Sequence, residues 1–204
     1  MDPLSHILST FDVNGILSAR LELAGDWSFQ FGIAGAIKIG AVVQGQCWLR
    51  AHADRPAFYL EAGDCYLLSG ISSYQIASDA SLEATDDLAQ LREGKNSNGV
   101  LYFRSGGTKT ILIGALFELT AGGSVLLSRL LPSVVCLPLR EGQPDALRSI
   151  LDLIISETLG NQPGRAMASS SLAKFTLVSV LRATMDLPSL NGWLRALASS
   201  HYRA

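Results

Sequence analysis

The chain has 204 residues, enough for one ordinary domain with a small appendage. Hydrophobic residues make up 48% of it and the formal net charge is -2, so it can fill a sizeable core and carries no general basic footprint for nucleic acid. The amino terminus, MDPLSHILST, lacks the basic-then-apolar order of a signal peptide, and no apolar run approaches the roughly 18 residues of a membrane span, so the composition predicts a cytoplasmic protein with no membrane partner.

The first two-thirds read as strands. In GILSARLELAG, Leu17, Ala19, Leu21 and Leu23 alternate with Ile16, Ser18, Arg20 and Glu22, a period of two. WSFQFG places Trp27, Phe29 and Phe31 on one side. AIKIGAVVQGQCWLRA holds two apolar runs split at Gln44-Gly45-Gln46, which predicts a hairpin corner. LEAGDCYLLSG has a second sharp corner at Ala62-Gly63-Asp64, and SYQIAS follows. GVLYFRS and KTILIGALFELTA come later, separated by Ser105-Gly106-Gly107. Eight or nine short strands with glycine-rich corners predict an antiparallel sandwich or barrel. Between them, DASLEATDDLAQLREGKNSNG is polar and charged and reads as a surface loop, with TDDLAQL as a helical turn inside it.

The last third changes period. Leu147, Ile150, Leu151, Ile154, Ile155 and Leu159 form a narrow apolar stripe on an amphipathic helix, with Pro144 in its first turn and Gly160 at its exit. A second helix over GRAMASSSLAKFTLVSVLRATMDLP closes before Pro188. Met167, Phe175, Val178 and Met185 lie on one side of it, and Leu177, Val180 and Leu181 on another. A helix apolar on two sides needs two partners, and a second copy of the chain can be one of them; a core helix of a single chain accounts for the pattern equally well. Trp193, Leu194 and Leu197 give the tail a helical pattern of its own.

Residues that carry chemistry are sparse. Cys47, Cys65 and Cys136 form no Cys-x-x-Cys pair, so they read as buried thiols acting as small hydrophobes. The three histidines, His6, His52 and His201, form no cluster. Ser171-x-x-Lys174 formally matches a serine-nucleophile motif, but its partner motifs are absent and it lies within a helical pattern. Ser105-Gly106-Gly107-Thr108-Lys109 lacks the spacing of a phosphate-binding loop. No catalytic residue is assigned.

DPLSHIL, KIGAVVQGQCWLR, LEAGDCYLLSG, SSSLAKFTLVSVLRA and GWLRAL occur in an order that resembles the N-terminal cupin domain of AraC-type transcription regulators, over nearly the whole chain. The resemblance implies a mainly β fold with C-terminal helices: a cupin-like antiparallel β-barrel, or jelly roll, over 1–140, a helical hairpin for dimerisation over 141–187, and over 188–204 the start of a linker toward a DNA-binding domain that the chain does not contain. In such a fold the Gly63-Asp64 pair turns the chain between neighbouring strands. Cupin enzymes carry two histidines and a carboxylate on one strand and a third histidine later. Here those positions fall near Lys38, Gly40, Gln44 and Tyr74, which disfavours a metal or any other cofactor. What remains is recognition of a small-molecule effector. Trp48, Tyr59, Tyr66, Tyr74 and Tyr102 lie on predicted strands, and Lys38, Trp48, Tyr66 and Tyr74 are the candidate ligand contacts. Phe175, Val178 and Met185 are the candidate homodimer interface, and DNA is a partner only through the missing domain. A stand-alone cupin enzyme acting on a small organic substrate and a ligand-free dimerisation scaffold are the alternatives.

Overall fold

A computed structural model describes residues 14–33, 36–85, 91, 100–118, 131–138, 149–150, 153–154, 156–157 and 162–185. Ten strands and one long helix are defined among them: β1 (Asn14–Ala24), β2 (Ser28–Gly32), β3 (Ala36–Gln44), β4 (Gln46–Arg50), β5 (Phe58–Glu61), β6 (Asp64–Leu68), β7 (Ser73–Ala77), β8 (Val100–Arg104), β9 (Lys109–Glu118), β10 (Val134–Pro138) and α1 (Arg165–Met185). The strands form a six-stranded sheet, β10-β6-β3-β9-β1-β8, and a four-stranded sheet, β2-β7-β4-β5. Every pairing is antiparallel except β1 with β8.

The expected cupin-like jelly roll is present as a sandwich of these two sheets, and among the described residues no ladder joins them. The two corners explain why. Gln44-Gly45-Gln46 is not a hairpin, because β3 and β4 lie in opposite sheets, and so do β5 and β6 on either side of Ala62-Gly63-Asp64. The corners brace each other. The Gly63 amide donates to the Val42 carbonyl at 2.8 Å, and the Ala62 amide donates to the Gly45 carbonyl at 3.0 Å. Gly63 has φ of 98°, which a side chain resists, and Asp64 Oδ2 accepts the Glu61 amide at 2.9 Å.

The six-stranded sheet is buried on both faces, and the period of two sorts its residues. Ile37, Ile39 and Ala41 of β3, Cys65 and Leu67 of β6, and Ile113, Ala115 and Phe117 of β9 join a core shared with α1. Val42, Tyr66, Leu68 and Leu112 belong instead to the core between the sheets, with Trp27, Phe29, Leu49 and Ile76. This double burial is why β9 reads as a nearly unbroken apolar run.

The helix covers the sheet with Ala173, Leu177, Val180 and Leu181, spaced to form one stripe. Two hydroxyls lie buried on the same side. Thr176 Oγ1 donates to the Leu172 carbonyl and Thr184 Oγ1 to the Val180 carbonyl, both at 2.7 Å, so neither is left without a partner. Of the first predicted helix, Ile150 and Ile154 are helical and enter this core, and Leu153 is exposed. Leu147, Leu151, Ile155 and Leu159, and the tail with Trp193, Leu194 and Leu197, lie outside the described residues. No described helix is long and apolar enough to cross a membrane.

Two polar positions of β1 depart from simple alternation between apolar core and solvent. Arg20 and Glu22 are both buried, and they neutralise one another at 2.9 Å, with Lys109 Nζ a further 2.8 Å from Glu22. Burial alone would raise the Glu22 carboxyl, but hydrogen bonds from Lys109 and Arg20, together with their charges, carry it below its ordinary value.

Candidate ligand-binding cavity

A cavity of about 220 Å³ opens between the sheets. Its walls are mostly aliphatic and aromatic, with Leu21, Phe31, Ile33, Leu101, Leu112 and Leu116 among them. Three polar side chains reach it: Lys38 from β3, Tyr66 from β6 and Tyr74 from β7. The structure thus brings together three of the four side chains picked out in the sequence.

Their placement follows from a pair of glycines. Gly40 of β3 and Gly114 of β9 are cross-strand partners. A β-carbon on Gly40 would run into the Tyr66 ring, and one on Gly114 would sit 2.6 Å from Lys38 Nζ. The bare backbone leaves a trough in which the phenol and the ammonium lie side by side. On the other face of the same two residues is a small apolar crevice, lined also by Ile154 and Thr176 beneath the helix layer.

The polar groups are deeply buried. Lys38 is 8% exposed, and loss of hydration lowers its ammonium from an ordinary 10.5 to about 8. Burial pushes both phenols well above the ordinary tyrosine range, so they stay protonated. The Tyr66 and Tyr74 rings lie against each other, tilted, with their centroids 6.3 Å apart. Phe31 stacks on Tyr74 at 5.5 Å, fixing that ring from the other side.

Trp48 does not belong with them. On β4, Cys47 and Leu49 point into the core, so strict alternation sends Trp48 to the opposite face, where it packs on Tyr59 at 5.2 Å. Tyr59 is exposed on the edge strand β5, and Tyr102 lies under the Arg104 guanidinium at 5.2 Å; neither lines the cavity. The positions aligned with the ligands of cupin enzymes hold an ammonium, a glycine, a carboxamide and a phenol, and the cavity lining offers neither an imidazole nor a carboxylate, so the donor set does not fit a metal cation. Among the described residues no group of three or more His, Cys, Asp or Glu side chains converges. Ser171 and Lys174 both lie exposed on α1, and Ser105-Gly106-Gly107 is a tight turn against Ala24. His52 Nε2 is 3.2 Å from Ser133 Oγ, away from the cavity.

The thiols divide. Cys47 and Cys65 are buried, and burial first, then the nearby Asp64, pushes each up to about 12. Cys136, expected to be buried, is only half-buried because β10 is an edge strand, although burial still raises it to about 11.

One wall residue was hidden from sequence reasoning. Leu91 ends the stretch TDDLAQL and is helical as that reading has it, but instead of lying on a surface loop it is 1% exposed and part of the cavity. Its charged neighbours mask it. Gly114 did leave a signal, since an isolated glycine inside an apolar strand marks close approach of another group.

On the candidate dimer face, Phe175 is 51% exposed, Met167 is more exposed still, and Val178 is half-buried. The side chain of Met185 lies outside the described residues.

Comparison with known proteins places this geometry in context. The profile of a family described as cupin matches residues 2–186. A Streptomyces antibioticus protein named "Putative AraC-like transcription regulator" is 30% identical over 201 residues, covering 97% of this chain and 65% of the relative. A protein of the same name from Streptomyces lividans is 29% identical over 203 residues, with the same coverage. The chain therefore spans about two-thirds of the length of these curated relatives. Among solved structures, ToxT from Vibrio cholerae aligns over 84% of this chain and 53% of its own, with a TM-score of 0.41 and 12% identity. YhaK from Escherichia coli aligns over 64% and 43%, with a TM-score of 0.38 and 13% identity.

Proposed function

The chain belongs to the cupin family, and we propose that it is the effector-sensing and dimerising part of an AraC-type transcription regulator acting in the cytoplasm. The observation that carries this reading is the cavity: a chamber of about 220 Å³ with apolar walls and three clustered polar groups has the make-up of a small-molecule site. Its donor set supports binding rather than metal-dependent chemistry. The names of the Streptomyces relatives supply the regulatory context.

Sensing works by linkage. An effector that prefers one arrangement of the sandwich or of the dimer shifts the population toward it. Dimerisation uses the outer face of α1, with Phe175 and Val178 at its centre and Met185 at its end. DNA is read by a helix-turn-helix domain outside these 204 residues.

A thermal-shift screen of the purified protein against small metabolites tests the reading, because a ligand that binds only the folded state raises its stability. Hits should be lost when Leu112→Trp fills the chamber. A folded dimer that no compound stabilises, or hits that survive the filled chamber, would leave the sandwich as a scaffold.

A further inference from the structure

One wall of the chamber is a row of leucines. Leu101 of β8, Leu21 of β1 and Leu112 of β9 are register partners across three neighbouring strands, so their side chains stand side by side on one face of the six-stranded sheet. Leu116 adds a fourth leucine further along β9, beyond Gly114. Phe31 of β2 lines the chamber from the other sheet. The polar side chains that reach this space are already occupied. Lys38 has an interaction of its own within the protein. Tyr66 lies ring against ring with Tyr74, and its hydroxyl end is pressed over the bare backbone of Gly40.

We propose that the chamber takes an uncharged guest with a compact hydrocarbon body, seated between the Leu101–Leu21–Leu112 row and Phe31 and drawn in by burial of apolar surface. Charge and polarity both count against the other classes. A carboxylate would shed its hydration among leucines, and the Lys38 side chain it would turn to is engaged elsewhere. An amine would bring a second positive charge beside Lys38. A sugar would leave most of its hydroxyls without partners against these walls. Size limits the body. A cavity of about 150 Å³ accommodates benzene, so about 220 Å³ corresponds to about nine non-hydrogen atoms. This inference rests on the effector-sensing reading, and names the class that is sensed.

The test compares ethylbenzene with phenylacetate, phenethylamine and glucose by calorimetry on the intact protein. Ethylbenzene should bind at least about tenfold more tightly than each of the other three. Leu112→Trp should abolish its binding, and Leu101→Phe, a smaller change at a half-buried position, should weaken it at least about fivefold. Lys38→Met should leave it within about threefold. Circular dichroism checks that each variant is folded, and Leu101→Phe carries the test if Leu112→Trp does not fold. Phenylacetate that equals ethylbenzene, or a folded Lys38→Met protein that no longer takes ethylbenzene, would overturn the ligand class and leave the sensor standing. Ethylbenzene binding that ignores the folded leucine variants would overturn the site. If ethylbenzene does not bind at all, the inference falls, and the metabolite screen then judges the sensing reading by itself.

Discussion

Lys38→Met should make the protein more stable at neutral pH. Burial lowers the ammonium from 10.5 to about 8, and at about 1.4 kcal/mol per pH unit this opposes folding by at most about 3 kcal/mol. Between those two values the unfolded chain holds a proton that the folded chain has released. Stability therefore rises with pH across that window, and below about pH 8 the full penalty applies. Methionine keeps the length of the side chain and removes the charge. The variant should exceed the unaltered protein by up to about 3 kcal/mol near pH 7, and by no more than about half of that near pH 9.5. For a chain of this size, the neutral-pH gain corresponds to a rise in Tm of roughly 6–12 °C. Urea denaturation followed by circular dichroism at both pH values measures it. A variant less stable at both, or one whose advantage does not shrink at the higher pH, would refute the claim that Lys38 is held charged at a cost to folding.

Gly40→Ala should destabilise by about 1–3 kcal/mol, since the new methyl meets the confined Tyr66 ring, whereas Gly114→Ala meets the movable tip of Lys38 and should cost less. Equal denaturation midpoints for the two would remove the distinction. Phe175→Glu should yield a folded monomer in sedimentation velocity, with stability within about 0.5 kcal/mol of the parent protomer. Leu177→Glu, two residues on but buried under the helix, should cost more than about 4 kcal/mol and unfold the domain; a dimeric Phe175→Glu protein would show that another face associates. Gly63→Ala should cost about 1–3 kcal/mol through its positive φ, and Asp64→Ala about 1 kcal/mol through the lost bond to Glu61, both read from thermal melts.

Local signals carried far into this fold, and failed where the information was three-dimensional. Alternation found most strands, and the resemblance to cupins pointed to Lys38 and Tyr74, which line the chamber. Alternation also held the answer for Trp48: buried Cys47 and Leu49 on either side require it to face outward. The corner at Gly45 looked like a hairpin because sequence shows that a chain turns, and not which sheet it enters. Arg20 and Glu22 looked like solvent positions because their mutual neutralisation depends on geometry and on Lys109 far along the chain. The burial of Leu91 stayed hidden because one short helical turn among charged residues gives too few positions to show which side faces the core.

At Gly40 and Gly114 the partition between the chamber and the helix layer is peptide backbone alone, with no side chain to cushion it. Ile154 and Thr176 lie on the far side of that bare wall, opposite the Tyr66 ring and the Lys38 tip. A push on the chamber side of Gly40 and Gly114 would therefore reach the helix layer through a single layer of main chain.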